Sequence, residues 1–478
     1  MARSSSSTLK PEDPVYNLSD DSSGVKADLA DAHQRHTKVR ASKNEQRKVL
    51  GYQTVLQRMV VEAAGPPSPN PWDADKPRAN EGATLESWER QIQLLDPHDS
   101  PIYSIRNPLV GRLLESLMID FGRPTHSSFM DDTYNVYLSQ QERAAISFRA
   151  FKKVVVVYGD PLCDSKKASY VFEEFRRFCK RRHCRVAVVG ASSNLAAHAQ
   201  TMSWVCMEFG VEKVFNPMRN EVLNERAGKT ITRTNRKLVR DGVVLFLYEP
   251  RRGVLPQLEQ ELRDVYTGWR EERRLKNVPQ AYSAVVDPFA LSGVTRYLFT
   301  RGPDGKPNSL AGLIWLGNSS GYLLEPCIQS ASAPKGTTGF LVTHAMGLLR
   351  DENVHYMTFG VEAMRHLGEI TSMSSFTAKM SRRVYSAVSD AFDLEGRQIF
   401  HQSFYPEKDR HDPLYLLFPP GILHFSMYQA VLKASHVSPR VVWRHWQTDR
   451  SSKRQEGNST RQEGKPPRVS TVVEEKTK

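Results

Sequence analysis

The feature that most constrains the fold is the run Val154-Val155-Val156-Val157-Tyr158, which stops at Gly159-Asp160-Pro161. A continuous β-branched run closed by turn residues describes a buried strand ending in a tight turn. A helix is expected next. In 169–182, Val171, Phe172, Phe175, Phe178 and Cys179 fall on one face, while Arg176, Arg177, Lys180 and Arg181 fall largely on the other. Residues 185–190 then supply a second strand and complete a β-α-β rhythm. A second cycle follows, with a strand at 243–248 and a helix at 257–276 that turns Leu258, Leu262, Val265 and Trp269 inward. Further strands are expected at 296–300, 310–316, 321–325 and 356–360, with a helix at about 337–350. This order predicts an α/β (α+β) protein of two lobes of similar plan, 71–248 and 249–447.

The chain has 478 residues, too many for one ordinary core. Its 39% hydrophobic and 25% charged residues exclude collagen, coiled coil and a wholly disordered chain. The rest of the length is expected in the flanks. Residues 1–32 are Ser-, Asp- and Pro-rich, and 448–478 are polar and charged, so both ends are expected to be disordered. Between them and the first lobe, 37–61 reads as a basic amphipathic helix. Lys38, Arg40, Lys43, Arg47, Lys48 and Arg58 alternate there with Val49, Tyr52, Leu56 and Met59, and the Pro-rich stretch 65–71 follows as a linker. The expected tail, helix and linker thus occupy 1–70. A formal charge of +13 attracts a polyanion, either nucleic acid or an anionic membrane surface. No signal-peptide pattern and no apolar stretch of about 18 residues is present, which predicts a cytoplasmic protein, soluble or peripheral on membranes. Cys163, Cys179, Cys184, Cys206 and Cys327 form no CxxC pair, so neither a disulfide framework nor a metal site is expected.

Three groups of residues carry chemistry. The segment 333–340 leaves a strand through Pro334-Lys335-Gly336 and enters a helix at Thr337, where free backbone N–H groups suit an anion; the competing reading is an ordinary Thr-capped helix start. After Gly228, Lys229, Arg233, Arg236, Lys237 and Arg240 recur at helical spacing, as a phosphate backbone would require or as a solvated face would allow. Glu325 and Glu362 each end an expected strand of the second lobe, where a carboxylate can serve as general base, orient an amine, or merely pair with a cation.

In this order the motifs resemble the phosphatidylglycerol lysyltransferase C-terminal family, whose members are aminoacyl-tRNA-dependent lipid aminoacyltransferases built from two fused GNAT lobes, each a mixed sheet flanked by helices. The likeness runs over 154–419. It rests on Gly159-Asp160-Pro161-Leu162, on Phe175-Arg176-Arg177-Phe178-Cys179, on the basic helix in 230–242 before Glu249-Pro250, and on Trp269. It continues through Leu324-Glu325, Pro334-Lys335-Gly336-Thr337, Phe359-Gly360-Val361, and Asp393-Leu394-Glu395-Gly396 with Phe400, Phe404 and Pro406. Where lysine-transferring members carry Asn-Gly-Thr-Met-Asp-Phe, this chain carries Gly339 in place of the acid, and His401 and Ser403 replace the family's closing lysines.

The resemblance implies the following site. Glu325 and Glu362 are the candidate catalytic carboxylates, either one serving as base unless the vicinal ribose hydroxyl relays the proton, and Lys229, Arg233, Arg236, Lys237, Arg240, Lys335, Gly336 and Thr337 are expected to hold tRNA. Gly339 and Gly360 shape an amino-acid pocket, and Phe400, Phe404, Leu416 and Phe418 line an acceptor pocket. No cofactor or metal is expected, aminoacyl-tRNA being a co-substrate. Among family members the likeness is to soluble, freestanding fungal forms that esterify the 3β-hydroxyl of ergosterol, which implies glycine as the transferred residue and a sterol reached by peripheral membrane contact. Two alternatives stay open: a catalytically degenerate tandem that binds tRNA or membrane, and a coenzyme-A-dependent N-acyltransferase. The apolar segment 414–423 reads either as a core strand with a Pro-Pro-Gly turn or as an acceptor wall whose turn, with Phe425 and Met427, touches the membrane.

Overall fold

Strand-forming segments dominate the middle of the chain, and in the computed structural model they join one sheet. Residues 55–62, 85–95, 100–276, 286–391, 394–420 and 425–437 are described. The expected tails, the basic helix before Val55, the linker at 65–71, Asp393, Ile422 and Leu423 lie outside them.

In chain order the elements are β1 (Val60–Glu62), α1 (Leu85–Gln93), β2 (Ile102–Ser104), α2 (Pro108–Phe121), a 3-10 segment (Pro124–Met130), β3 (Asn135–Leu138) and β4 (Ala145–Phe151). The valine run is β5 (Val154–Tyr158), followed by α3 (Ala168–Arg181), β6 (Arg185–Ala191), α4 (Ser193–Thr201), β7 (Val205–Phe215), α5 (Lys229–Arg240), β8 (Leu245–Tyr248) and α6 (Pro256–Leu275). Then come β9 (Thr295–Thr300), β10 (Ser309–Leu316), β11 (Gly321–Gln329), α7 (Thr337–Asp351), β12 (Met357–Ala363), β13 (Ile370–Thr371), α8 (Ser375–Ala391), α9 (Leu394–Gln402), β14 (His411–Phe418) and α10 (Phe425–Ala434). The strand order is β1-β8-β9-β10-β11-β12-β7-β14-β6-β5-β4-β3-β2, with β13 pairing β7. It is a mixed sheet flanked by helices.

The helices sit where the apolar periodicity places them. Val171, Phe172, Phe175, Phe178 and Cys179 of α3 are buried, and Phe172 stacks edge-on against Trp204 while Phe175 meets Tyr137 and Phe148. Each such side chain contributes about 1.5–3 kcal/mol by leaving water. Along α6 the buried set is Leu258, Glu259, Leu262, Val265 and Tyr266, and Trp269 packs at its edge.

Three expectations change. Val60 and Val61, placed in a basic helix by their neighbours' charge, form β1 on the edge of β8, because adjacent β-branched residues suit an extended sheet edge better than a helix. β11 does not stop at Glu325 but runs on to Gln329. The eleven-residue β7 is interrupted in sequence by Glu208, Glu212 and Lys213, which hides its strand pattern. It is nevertheless central, pairing β12 on one side and β14 on the other, and β14 also pairs β6. A strand late in the chain therefore lies among the strands of the first half.

Candidate active site

Two strand-helix-strand units in this sheet have parallel strands. β5 and β6 stay paired over five residues, from Val154↔Arg185 to Tyr158↔Val189. β11 and β12 pair only at Tyr322↔Met357 and Leu323↔Thr358. Beyond that point the register of β12 against β7 shifts between Thr358 and Val361, and Gly360 takes φ +80 with its N–H donating to Thr358 Oγ1 at 3.0 Å. A side chain at 360 would be strained and would stand 3.1 Å from Leu323 Cδ1. The bulge helps to part the strands, and a cavity of about 40 Å³ opens there, lined by Glu325 of β11, Phe359 and Val361 of β12, and Arg397 of α9. Its far wall comes from the 3-10 segment, through Pro124 and Ser127, and from Asp131 and His436.

Two carboxylates line this cavity, Glu325 of β11 and Asp131. Burial pushes the Glu325 carboxyl up from the ordinary value, and Arg397 and a hydrogen bond from Ser127 offset this only in part. A carboxyl so placed binds a proton more readily than a free one, as a general base requires. Opposite it, His436 Nε2 lies 2.7 Å from Asp131 Oδ2. Burial raises the Asp131 carboxyl, but hydrogen bonds from His436 and Thr133 outweigh it and hold that group below its usual range.

Glu362 does not share the cavity. Its carboxylate accepts from Lys213 and from His401 Nδ1, the latter at 3.1 Å, and the His401 ring stacks on Phe359 with centroids 4.3 Å apart. Burial pushes Glu362 up, but the bonds from His401 and Lys213 reverse the shift and hold it low. A carboxylate so paired is a poor base. The two glutamates offered as alternative bases are thus divided into a cavity carboxylate and an ion-pair partner.

The predicted tRNA elements do meet. α5 buries Asn235 and Leu238, and all five cations, Lys229, Arg233, Arg236, Lys237 and Arg240, are exposed. Among the described residues only Arg236 of these is ion-paired, to Glu225 at 2.7 Å. At the start of α7, a Cβ on Gly336 (φ +93) would stand 2.4 Å from Thr234 Cγ2 of α5, so the basic helix rests directly on the loop that carries exposed Lys335. The loop is not an open ring of N–H groups, however. Thr337 is fully buried, its N–H and hydroxyl both donate to the Pro334 carbonyl, and the Thr338 N–H donates to Gln329 Oε1 at 3.1 Å. Thr337 is therefore a structural helix start, and the anion-binding capacity of this surface lies in side-chain cations. That arrangement also weighs against a coenzyme A pyrophosphate at this helix.

Residues 123–418 match the profile of the family described as phosphatidylglycerol lysyltransferase, C-terminal. The chain belongs to the phosphatidylglycerol lysyltransferase C-terminal family. Membership makes it an acyltransferase that takes its amino acid from aminoacyl-tRNA and acts in lipid aminoacylation. Two solved structures share the fold. The C-terminal domain of a protein assigned as a lysylphosphatidylglycerol synthetase from Agrobacterium fabrum is 19% identical, with TM-score 0.53, covering 68% of this chain and 95% of that one. L-PGS from Bacillus licheniformis is 16% identical, with TM-score 0.55, covering 69% and 97%. Comparison with curated proteins gave no match.

The remaining family positions divide between two regions. Gly339, in the first turn of α7, has the Phe404 ring 4.0 Å from where a Cβ would stand, so a small side chain fits there. Phe404 is fully buried and packs with Phe400 and Phe359 in an aromatic cluster beside the cavity. Leu416 and Phe418 lie elsewhere, in the core under α10 with Met207, Phe209 and Ala430. Met427 is buried in that same core, so it cannot touch a membrane as the apolar segment suggested. The four acceptor residues therefore do not form one pocket, because β14 inserts between β6 and β7 and carries its side chains away from β12. Sequence reading missed Arg397, His436, Asp131 and the 3-10 segment. Only the family position of His401 gave any signal near them.

Proposed function

We propose that this chain transfers glycine from glycyl-tRNA to the 3β-hydroxyl of ergosterol. The observation that carries the reading is the small cavity where β11 and β12 part, with one carboxylate whose proton affinity burial has raised. The glycine half of the reading rests on the likeness to the glycine-transferring members of the family. Gly339 agrees, since no acid stands there to receive an ammonium. The sterol half rests on the likeness to the soluble fungal members and on the rings of Phe359, Phe400 and Phe404 beside the cavity.

In the reaction one ester replaces another. The sterol oxygen attacks the aminoacyl carbonyl carbon, a new C–O bond forms, and the bond to the ribose 3′-oxygen breaks. Glu325 takes the hydroxyl proton, which passes to the departing ribose oxygen. The cations of α5 and Lys335 hold the phosphates of the tRNA end, and no ATP enters this step.

The test is to incubate purified protein with separately labelled glycyl-, lysyl-, alanyl- and aspartyl-tRNA and with vesicles of ergosterol or of phosphatidylglycerol, then extract the lipid. Label in an ergosteryl ester from glycyl-tRNA is expected. Lysyl-phosphatidylglycerol as the main product would overturn the proposal, and an ester of a different amino acid would overturn its glycine half.

A further inference from the structure

The enzyme's acceptor is a lipid, yet among the described residues no helix is long and apolar enough to cross a membrane. The expected contact at Met427 is buried. The described residues offer another surface that can bring the site to the bilayer.

The surface of α8 has the required chemistry. Its inner face is pinned by Tyr385, whose hydroxyl lies 2.7 Å from the Met364 carbonyl and 2.8 Å from that of Phe209, and by buried Ser381, in hydrogen-bond contact with Tyr428. At 3.6 residues per turn, Phe376, Met380 and Val384 follow one another along a single outer stripe. They are 77%, 44% and 42% exposed, a level that isolated apolar residues reach but a row of three on one helix seldom does. On the other flank of the outer surface stand Lys379, Arg382 and Arg383, all exposed. Arg382 also donates to the Leu367 carbonyl, and among the described residues neither Lys379 nor Arg383 has a salt-bridge partner.

The helix also lies close to the chemistry. Tyr385 of α8 and Gln398 of α9 anchor to successive carbonyls, Met364 and Ala363, at the end of the strand whose Phe359 and Val361 line the cavity. The neighbouring α9 presents Ile399, 64% exposed, together with Arg397 of the cavity wall.

We propose that α8 is a membrane-docking helix that seats Phe376, Met380 and Val384 in the interface of an anionic bilayer while Lys379, Arg382 and Arg383 pair with lipid phosphates. Apolar burial and cationic attraction act together in such a contact, and a stripe flanked by cations favours an anionic lipid surface over a second copy of this basic chain. The proposal rests on the lipid acceptor but not on glycine or sterol.

Flotation with sterol-free vesicles, in the absence of tRNA, separates it from the proposed reaction. The full chain is expected to float with phosphatidylcholine vesicles containing about 30 mol% phosphatidylserine, and about tenfold less with phosphatidylcholine alone. The F376S/M380S/V384S variant is expected to lose about tenfold or more of the binding to anionic vesicles. The K379E/R383E variant changes only exposed positions, keeps the proposal testable if the triple variant misfolds, and is expected to lose a similar amount at low salt. No flotation of the wild type, or wild-type flotation by K379E/R383E or by a folded triple variant, would overturn the proposal. So would a wild-type dimer that the triple variant dissociates without loss of vesicle binding, which would make the stripe an interface between copies.

Discussion

β5–β6 and β11–β12 are the same device built twice, a parallel strand pair joined by a helix, and they differ in one respect. Each has a glycine at positive φ on its second strand, Gly190 at +82 and Gly360 at +80. Over β5–β6 the 3-10 segment fills the space. A Cβ on Gly159 would fall 2.3 Å from Thr125 Oγ1, and one on Gly190 would stand 3.2 Å from Thr125 Cγ2. His126 donates to the Asp160 carbonyl, and the Asp160 carboxylate accepts from the N–H and hydroxyl of Ser192. At Gly360 the same segment comes no nearer than Pro124 Cβ, 4.0 Å away, and the strands part. The difference teaches that this topology is structural when plugged and becomes a site when left open.

If that division holds, the sealed unit carries stability and the open one carries chemistry. The largest effect is expected from Phe172→Ala, which removes a fully buried ring from the sealed unit and should cost about 3–5 kcal/mol in chemical denaturation. Transfer per folded molecule should not change. A parallel fall in specific activity would break the comparison.

A smaller effect is expected where α5 meets the open unit. Arg233→Glu with Lys237→Glu reverses two exposed cations and should weaken tRNA binding about tenfold at low salt while flattening the salt dependence by about one to two phosphate contacts. Equal affinity and an unchanged slope in a filter-binding titration would take α5 out of the tRNA footprint. Smaller again is the effect of Gly339→Asp, which should raise the use of lysyl-tRNA relative to glycyl-tRNA by a few-fold to about tenfold. Competition between the two charged tRNAs reads this directly, and no change would detach Gly339 from amino-acid choice.

The smallest effect separates the two glutamates by pH. Glu325 is raised in the folded state, so its contribution to stability is complete below the ordinary carboxyl value of 4.5 and is lost as pH rises through the folded value. Glu325→Gln should therefore flatten the decline of stability over that window. Glu362 is held low, so its contribution is present above 4.5 and lost as pH falls through its folded value. Glu362→Gln should accordingly destabilise the protein at neutral pH. Thermal unfolding of both variants from pH 4 to 8 checks the opposite signs, and like behaviour would mean that the two carboxylates share one environment.

The legible parts of this fold were those governed by local pattern. The valine run, the apolar face of α3 and the inner residues of α6 follow from periodicity alone, and so does the outward cation stripe of α5. What escaped depends on pairing at a distance. β7 carries charges because Glu212 is buried against Tyr356 and Lys213 reaches Glu362, which spoils its pattern without spoiling the strand. The insertion of β14 cannot be read from its own residues, so Leu416 and Phe418 were assigned to a pocket they do not line. Glu325 draws notice in the sequence as the expected end of a strand, yet β11 continues past it to Gln329, and the parting of β12 from β11 is what opens space beside it. The residues that share its cavity escape, since Asp131, Arg397 and His436 are brought there from three distant segments by the fold.

In the proposed reaction, transfer takes place where β11 and β12 part, with Glu325 as the base. Single-turnover transfer from pre-bound glycyl-tRNA to ergosterol by Glu325→Gln tests it most directly, with Glu362→Gln measured beside it. In Glu325→Gln the chemical step is expected to slow by about 10²–10⁴-fold, with tRNA affinity unchanged and the loss of activity toward low pH abolished. Glu362→Gln should slow transfer far less once corrected for folded protein. A wild-type rate for Glu325→Gln, or a larger loss in Glu362→Gln, would contradict it.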